Sequence, residues 1–195
     1  MIQPNYLRLN RILAGVIFLI SFIVYFDTMA PTVSYWDCGE FIAVSHTLGV
    51  PHPPGSPFFL LIGRVASMLP IHEDIAFRVN ILSPLSSAFA VMFLYLIIVQ
   101  VVVHWRGKLV NIHDALVAFG GAIVGSLVFA FSDSHWFNAV EAEVYALSTF
   151  FTAIVVWLIL HWSEKADERG HERYILIIAY MIGLATGLHL LNLLT

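Results

Sequence analysis

Asp37 and Glu40 are three residues apart, a spacing that puts both carboxylates on one face of a helix. A carboxylate so placed can take the proton of a hydroxyl group as a general base. The bland alternative is equally open: Asp37 caps a helix that starts at Cys38, and Glu40 is a solvated surface acid. His46 lies nine residues from Asp37, on the opposite side of such a helix. His52 could fold back toward the acids, but a surface histidine is the commoner outcome. A second acidic group, Glu141 and Glu143, follows the aromatic stretch Ser134-His135-Trp136-Phe137. Asn138, Glu141 and Tyr145 share a helical face, and Glu143 points away from Glu141. These acids either stabilise a helix N-terminus beside an aromatic belt, or face Asp37 and Glu40 across a common cavity. Arg78 in Phe77-Arg78-Val79-Asn80 either snorkels to headgroups or clamps a phosphate bidentately. Thr186, His189 and Asn192 recur every three residues and form either an interhelical hydrogen-bonding stripe or a cavity lining.

The elements that must position these groups are membrane spans. Of 195 residues, 59% are hydrophobic and 11% charged, and the mean hydropathy is +0.86. A soluble domain is nearer a quarter charged. The composition predicts an all-α polytopic membrane protein, and the net charge of −4 offers no basic face for a nucleic acid. A single cysteine, Cys38, excludes an internal disulfide framework and a CxxC metal cluster. Apolar runs predict five transmembrane helices at about 10–29, 81–105, 115–131, 144–162 and 174–195. The first reads as a signal anchor, because no small-x-small cleavage pattern follows it. The run 58–69 is too short to span, carries Arg64, and reads as a helix in the interface.

With the N-terminus cytoplasmic, Arg8, Arg11, Arg106, Lys108, Lys165, Arg169 and Arg173 lie inside, and only Arg64 and Arg78 outside. Loops 27–75 and 132–143, which hold the acids, then share the outer face. In the first of them Pro51-His52-Pro53-Pro54-Gly55-Ser56-Pro57 predicts a rigid elbow between two surface helices. Gly121/Gly125 and Gly183/Gly187 read as sites of close helix packing. The chain stops at Leu193-Leu194-Thr195 without a polar flank, which predicts the N-terminal part of a longer protein, inactive in isolation.

Five blocks in one order carry a resemblance. They are Tyr35-Trp36-Asp37-Cys38-Gly39-Glu40-Phe41-Ile42, His52-Pro53-Pro54-Gly55-Ser56-Pro57, Phe77-Arg78-Val79-Asn80, residues 136–145, and Gly187-Leu188-His189-Leu190-Leu191-Asn192. Together they resemble the DUF2723 family, glycosyltransferase family 117, which also contains an animal O-mannosyltransferase and is common in Bacteroidetes. The resemblance implies a GT-C architecture, spanning residues 1–195 as part of one transmembrane domain in a bacterial inner membrane, with its loops toward the periplasm. It implies a polyprenyl-phosphate-linked sugar as donor and a protein Ser/Thr or glycan hydroxyl as acceptor. Asp37 inherits the role of general base and Glu40 that of its partner. Arg78 would stabilise the leaving phosphate, with His52, Asn80, Glu141, Glu143, Tyr145, His189 and Asn192 lining the donor or acceptor cavity. A divalent metal held by Asp37 and Glu40 is compatible with the resemblance, though no spacing demands one. Cys38 departs from the family's serine at that position, which puts a role for that hydroxyl in doubt. A transporter or flippase of a lipid-linked sugar is the alternative function; it would need inverted repeats, and none is visible in the sequence.

Overall fold

The computed structural model describes residues 4–107, 109, 111–190 and 192. It is all-helical over these residues: α1 (Pro4–Asp27), α2 (Cys38–Thr47), α3 (Pro57–Met68), α4 (Ile75–Asn80), α5 (Leu82–Arg106), α6 (Ile112–Ala130), α7 (Asp133–Ala139), α8 (Val144–Ser163) and α9 (Glu172–Thr186). Four helical segments are long and apolar enough to cross a membrane: Tyr6–Asp27, Ile75–Arg106, Ile112–Ala130 and Val144–Ser163. The protein is a multi-pass membrane helical bundle. The fifth expected span is helical for the 15 residues of α9, fewer than the roughly 20 that a bilayer requires. It then turns at Gly187, whose N–H bonds the Leu184 carbonyl. Residue 191 and residues 193–195 of that segment lie outside the described residues, as does Lys108.

Helix α5 is the hub, packed against α1, α6 and α8, while α9 packs on α8. The reason is its side chains. Ser83, Ser87, Ala88 and Val91 are buried, and so are Tyr95 and Val99, so small residues let neighbouring helices approach closely. Facing them are Ala14 and Ile17 of α1 and Ala118 and Ala122 of α6. Outward, α1 shows Ile12, Leu19 and Ile23, an apolar stripe suited to lipid. Consecutive long helices alternate in direction, so the end of α1, the starts of α5 and α8 and the end of α6 meet on one side. Hydrogen bonds fasten that side: Tyr25 Oη donates to the Ala130 carbonyl at 2.8 Å, and the Ala30 N–H to the Val140 carbonyl at 2.8 Å.

On this side α2 and α3 form a hairpin around the proline-rich elbow. Leu48 and Ser56 both take left-handed backbone conformations, which reverse the chain, and Pro57 opens α3 where its missing N–H costs nothing. Phe41 meets Phe59 edge to face at 5.4 Å between ring centres. At the crossing, a Cβ on Gly63 would lie 2.8 Å from the Ser45 Cβ. Gly63→Ala should therefore destabilise the protein by about 1–3 kcal/mol through overpacking. Thermal unfolding in detergent would show it, and the Ser45→Gly/Gly63→Ala double variant should recover most of the loss. An unchanged midpoint in the single variant would show that the hairpin gives way.

Candidate active site

The approach to the site is strained. Trp36 has φ 58°, a left-handed conformation rare for a bulky residue, and it swings the chain into α2. Asp37 then occupies the N-cap position, but its side chain makes no cap hydrogen bond. Only its carbonyl takes part, accepting from the Phe41 N–H at 2.9 Å. The carboxylate is thus not consumed by the helix terminus and remains 58% exposed.

One turn on, Glu40 grips His52 with both oxygens. Its Oε1 accepts the His52 backbone N–H at 2.8 Å, and its Oε2 lies 2.7 Å from His52 Nδ1. The elbow has folded the histidine back onto α2, where it tilts against the Phe41 ring at 5.7 Å. His52 Nε2 stands 4.0 Å from Asp37 Oδ2. Ligating atoms of Asp37, Glu40 and His52 all fall within 4.8 Å of one another, a donor set of two carboxylates and one imidazole that could accept a divalent cation. The hydrogen bonds from His52 hold Glu40 below the usual carboxylate range. The same bond raises His52, with the charges of Glu40, Asp37 and Glu143 adding to it.

A buried second layer lies behind these residues. Glu143 is the N-cap of α8, its Oε2 accepting the Val144 N–H at 3.3 Å. Burial pushes it up from 4.5 to about 7, and the charges of Asp37 and Glu141 push the same way. Glu141 is 4% exposed, with Oε1 lacking a hydrogen-bond partner. The buried Cys38 thiol pairs with Glu141; burial, then the charges of Glu141 and Glu143, raise it far above the ordinary thiol range. It is a neutral packing group, not a nucleophile. Between about pH 4.5 and 7 folded Glu143 retains a proton that the unfolded chain has lost, so stability falls as pH rises through that window. Glu143→Gln should remove this slope and stabilise the protein above pH 7, by up to about 3 kcal/mol. Melting in detergent at pH 5 and pH 8 checks it; parallel pH dependences in variant and wild type would refute it.

The other expected site residues have different partners. Arg78 spends its guanidinium on backbone carbonyls, donating from Nε to His72, from Nη1 to Ser67 and from Nη2 to Glu73. It ties the α3–α4 connection, and among the described residues it makes no ion pair with the acids. Asn80 is fully buried and joins both loops: Nδ2 donates to the Ala30 and Thr32 carbonyls at 2.8 and 2.9 Å, and Oδ1 accepts the Ala142 N–H at 3.1 Å. Tyr145 is the second residue of α8, with its ring 5.4 Å from that of His189. Asn192 links α8 to α9, accepting from Ser148 Oγ at 2.7 Å and donating to the Ala185 carbonyl at 2.8 Å. His46 faces α3, near Ser67 Oγ at 3.4 Å, and its carbonyl accepts from Arg64. The Glu40–His52 pairing is the fold-back that the proline-rich elbow left open and that a surface histidine was expected to outweigh.

Residues 37–195 match the family described as the Protein O-mannosyl-transferase TMEM260 N-terminal domain. Two relatives share 29% identity with the chain. Protein O-mannosyl-transferase tmem260 of Dictyostelium discoideum aligns over 81% of this chain and 18% of its own length. Protein O-mannosyl-transferase TMEM260 of Mus musculus aligns over 83% and 21%. The chain thus spans about a fifth of the length of these relatives. No solved structure matches.

Proposed function

Because this chain belongs to the protein O-mannosyl-transferase TMEM260 N-terminal domain family, we propose that it carries the acceptor-activating face of a membrane glycosyltransferase. The reaction moves a sugar, mannose by analogy with the relatives' names, from a lipid-phosphate donor to a serine or threonine hydroxyl of a protein. The carrying observation is Asp37, an N-cap residue whose carboxylate is left uncommitted beside Glu40 and His52. Asp37 accepts a hydrogen bond from the acceptor hydroxyl, whose proton passes to the cluster that Asp37 forms with Glu40 and His52. The acceptor oxygen bonds the sugar's C1 as the C1–O bond to phosphate breaks, and the lipid phosphate leaves with the bonding electrons.

The finer reading follows the sequence: a GT-C enzyme of the DUF2723 group, its N-terminus cytoplasmic and its acidic loops on the outer face. The bias of lysine and arginine supports that orientation. The enclosed Glu141 and Glu143 would line the cavity floor, with Tyr145 and His189 beside them at the start of α8. Arg78 is better read as the tie of its own loop, since carbonyls occupy its donors.

Membranes holding the full-length protein, given radiolabelled polyprenyl-phosphate mannose and a Ser/Thr-rich peptide, should put label on the peptide. Folded protein that transfers from no lipid-phosphate sugar would overturn the proposal and favour translocation of the lipid-linked sugar.

A further inference from the structure

The acceptor's proton has two candidate destinations 4.0 Å apart, Asp37 Oδ2 and His52 Nε2. That gap is too long for a direct hydrogen bond and suits one substrate oxygen touching both atoms. The tautomer of His52 is fixed by chemistry. An ionised carboxylate can only accept, so the Nδ1 that lies 2.7 Å from Glu40 Oε2 must carry the proton. In the neutral ring, Nε2 then presents its lone pair toward Asp37. The backbone bond from His52 N–H to Glu40 and the Phe41 ring fix the imidazole in this pose. A carboxylate that orients a histidine and stabilises its cation is the arrangement used to activate hydroxyl nucleophiles in catalytic triads.

We propose that His52 Nε2 is the group that takes the acceptor hydroxyl's proton, with Glu40 orienting the ring and Asp37 aligning the hydroxyl. This rests on the transfer reaction proposed above. As the acceptor oxygen bonds C1 and the lipid phosphate departs with the electron pair, the proton passes to Nε2. Nδ1 keeps its own proton, Glu40 stays ionised, and the imidazolium, 45% exposed, then releases its proton to water. Histidine is a stronger base than an exposed aspartate, which suits it to an alcohol. The charged groups that face it are Glu40 and Asp37 of α2 and Glu143 at the start of α8; all three favour the protonated ring.

The test is the pH profile of kcat/KM for transfer by the full-length protein in membranes. The base must be unprotonated, so activity should rise with pH through a limb at or above the ordinary histidine range. Glu40→Gln removes the main influence raising His52 and should move that limb to lower pH. His52→Gln should lower the rate about 100-fold or more and abolish the limb. Glu143→Gln controls for the other group that titrates near neutrality: the limb should persist, moved slightly to lower pH by the loss of one of the charges that raise His52. A wild-type limb in the carboxylate range, a limb unmoved in Glu40→Gln, or a limb lost only in Glu143→Gln would each overturn the assignment while transfer itself stands. Absence of transfer by wild type from every lipid-phosphate sugar would instead sink the underlying reading.

Discussion

Asp37→Asn should lower transfer by about 10²- to 10⁴-fold while the protein still reaches the membrane with an unchanged melting midpoint. The two halves of this expectation have separate causes. The structural half follows from the cap: Asp37 holds the N-cap position of α2, yet its carboxylate bonds no helix N–H, so the amide takes nothing from the helix. The side chain is also largely solvated, and no large desolvation balance changes with its charge. The catalytic half follows from what is lost. The amide offers the hydroxyl a weaker, uncharged acceptor to align it, and the negative charge that favours a cationic His52 is gone. Because that charge is one of those raising His52, the variant's residual activity should also show its acid limb at lower pH. Radiolabel transfer measured from pH 5 to 9, with melting on the same preparations, separates the cases. Near-wild-type transfer by folded Asp37→Asn would remove Asp37 from the chemistry. A large drop in melting would make it a structural residue after all.

The spans were legible because hydrophobicity over about 20 residues is a coarse, local property that tertiary context seldom overrides. Residues 144–162 emerge as Val144–Ser163, and 81–105 as Leu82–Arg106. The elbow was legible for a similar reason: prolines and a glycine at 51–57 exclude regular helix whatever surrounds them. The side-chain partners of the site were not. Glu40 and His52 are 12 residues apart with a chain reversal between them, so no helical period relates them. Arg78 could be read as a snorkel or a phosphate clamp, but its partners are three backbone carbonyls, of Ser67 at the end of α3 and of His72 and Glu73 after it, and carbonyls leave no trace in residue type. Burial of Glu143 was equally hidden. The helix start at Val144 was visible, but how deeply α8's first turn is enclosed depends on loops from elsewhere in the chain. The fifth span is a different case, since its apolar run outlasts its helix: α9 ends at Thr186.

Asn80→Ala should cost about 1–3 kcal/mol in stability, the cost of a buried polar group left unpaired. Three backbone groups lose a partner at once: the carbonyls of Ala30 and Thr32 and the N–H of Ala142. They belong to two loops far apart in sequence, and Asn80 bonds both. Ala142 sits between Glu141 and Glu143, and Thr32 lies five residues before Asp37, so loss of this tie should loosen the acids on both sides together. Asn80→Asp separates the donors from the acceptor. It keeps an oxygen for Ala142 but sets a carboxylate, fully buried, against two carbonyls, and should be worse than alanine. The readouts are the melting midpoint in detergent and protease cleavage within residues 31–36, both measured beside Asp37→Asn. We expect lower melting and faster cleavage in both Asn80 variants, with neither change in Asp37→Asn. An Asn80→Ala protein that melts and resists protease like wild type would show that the Ala30–Val140 backbone bond at 2.8 Å holds the loops together without it.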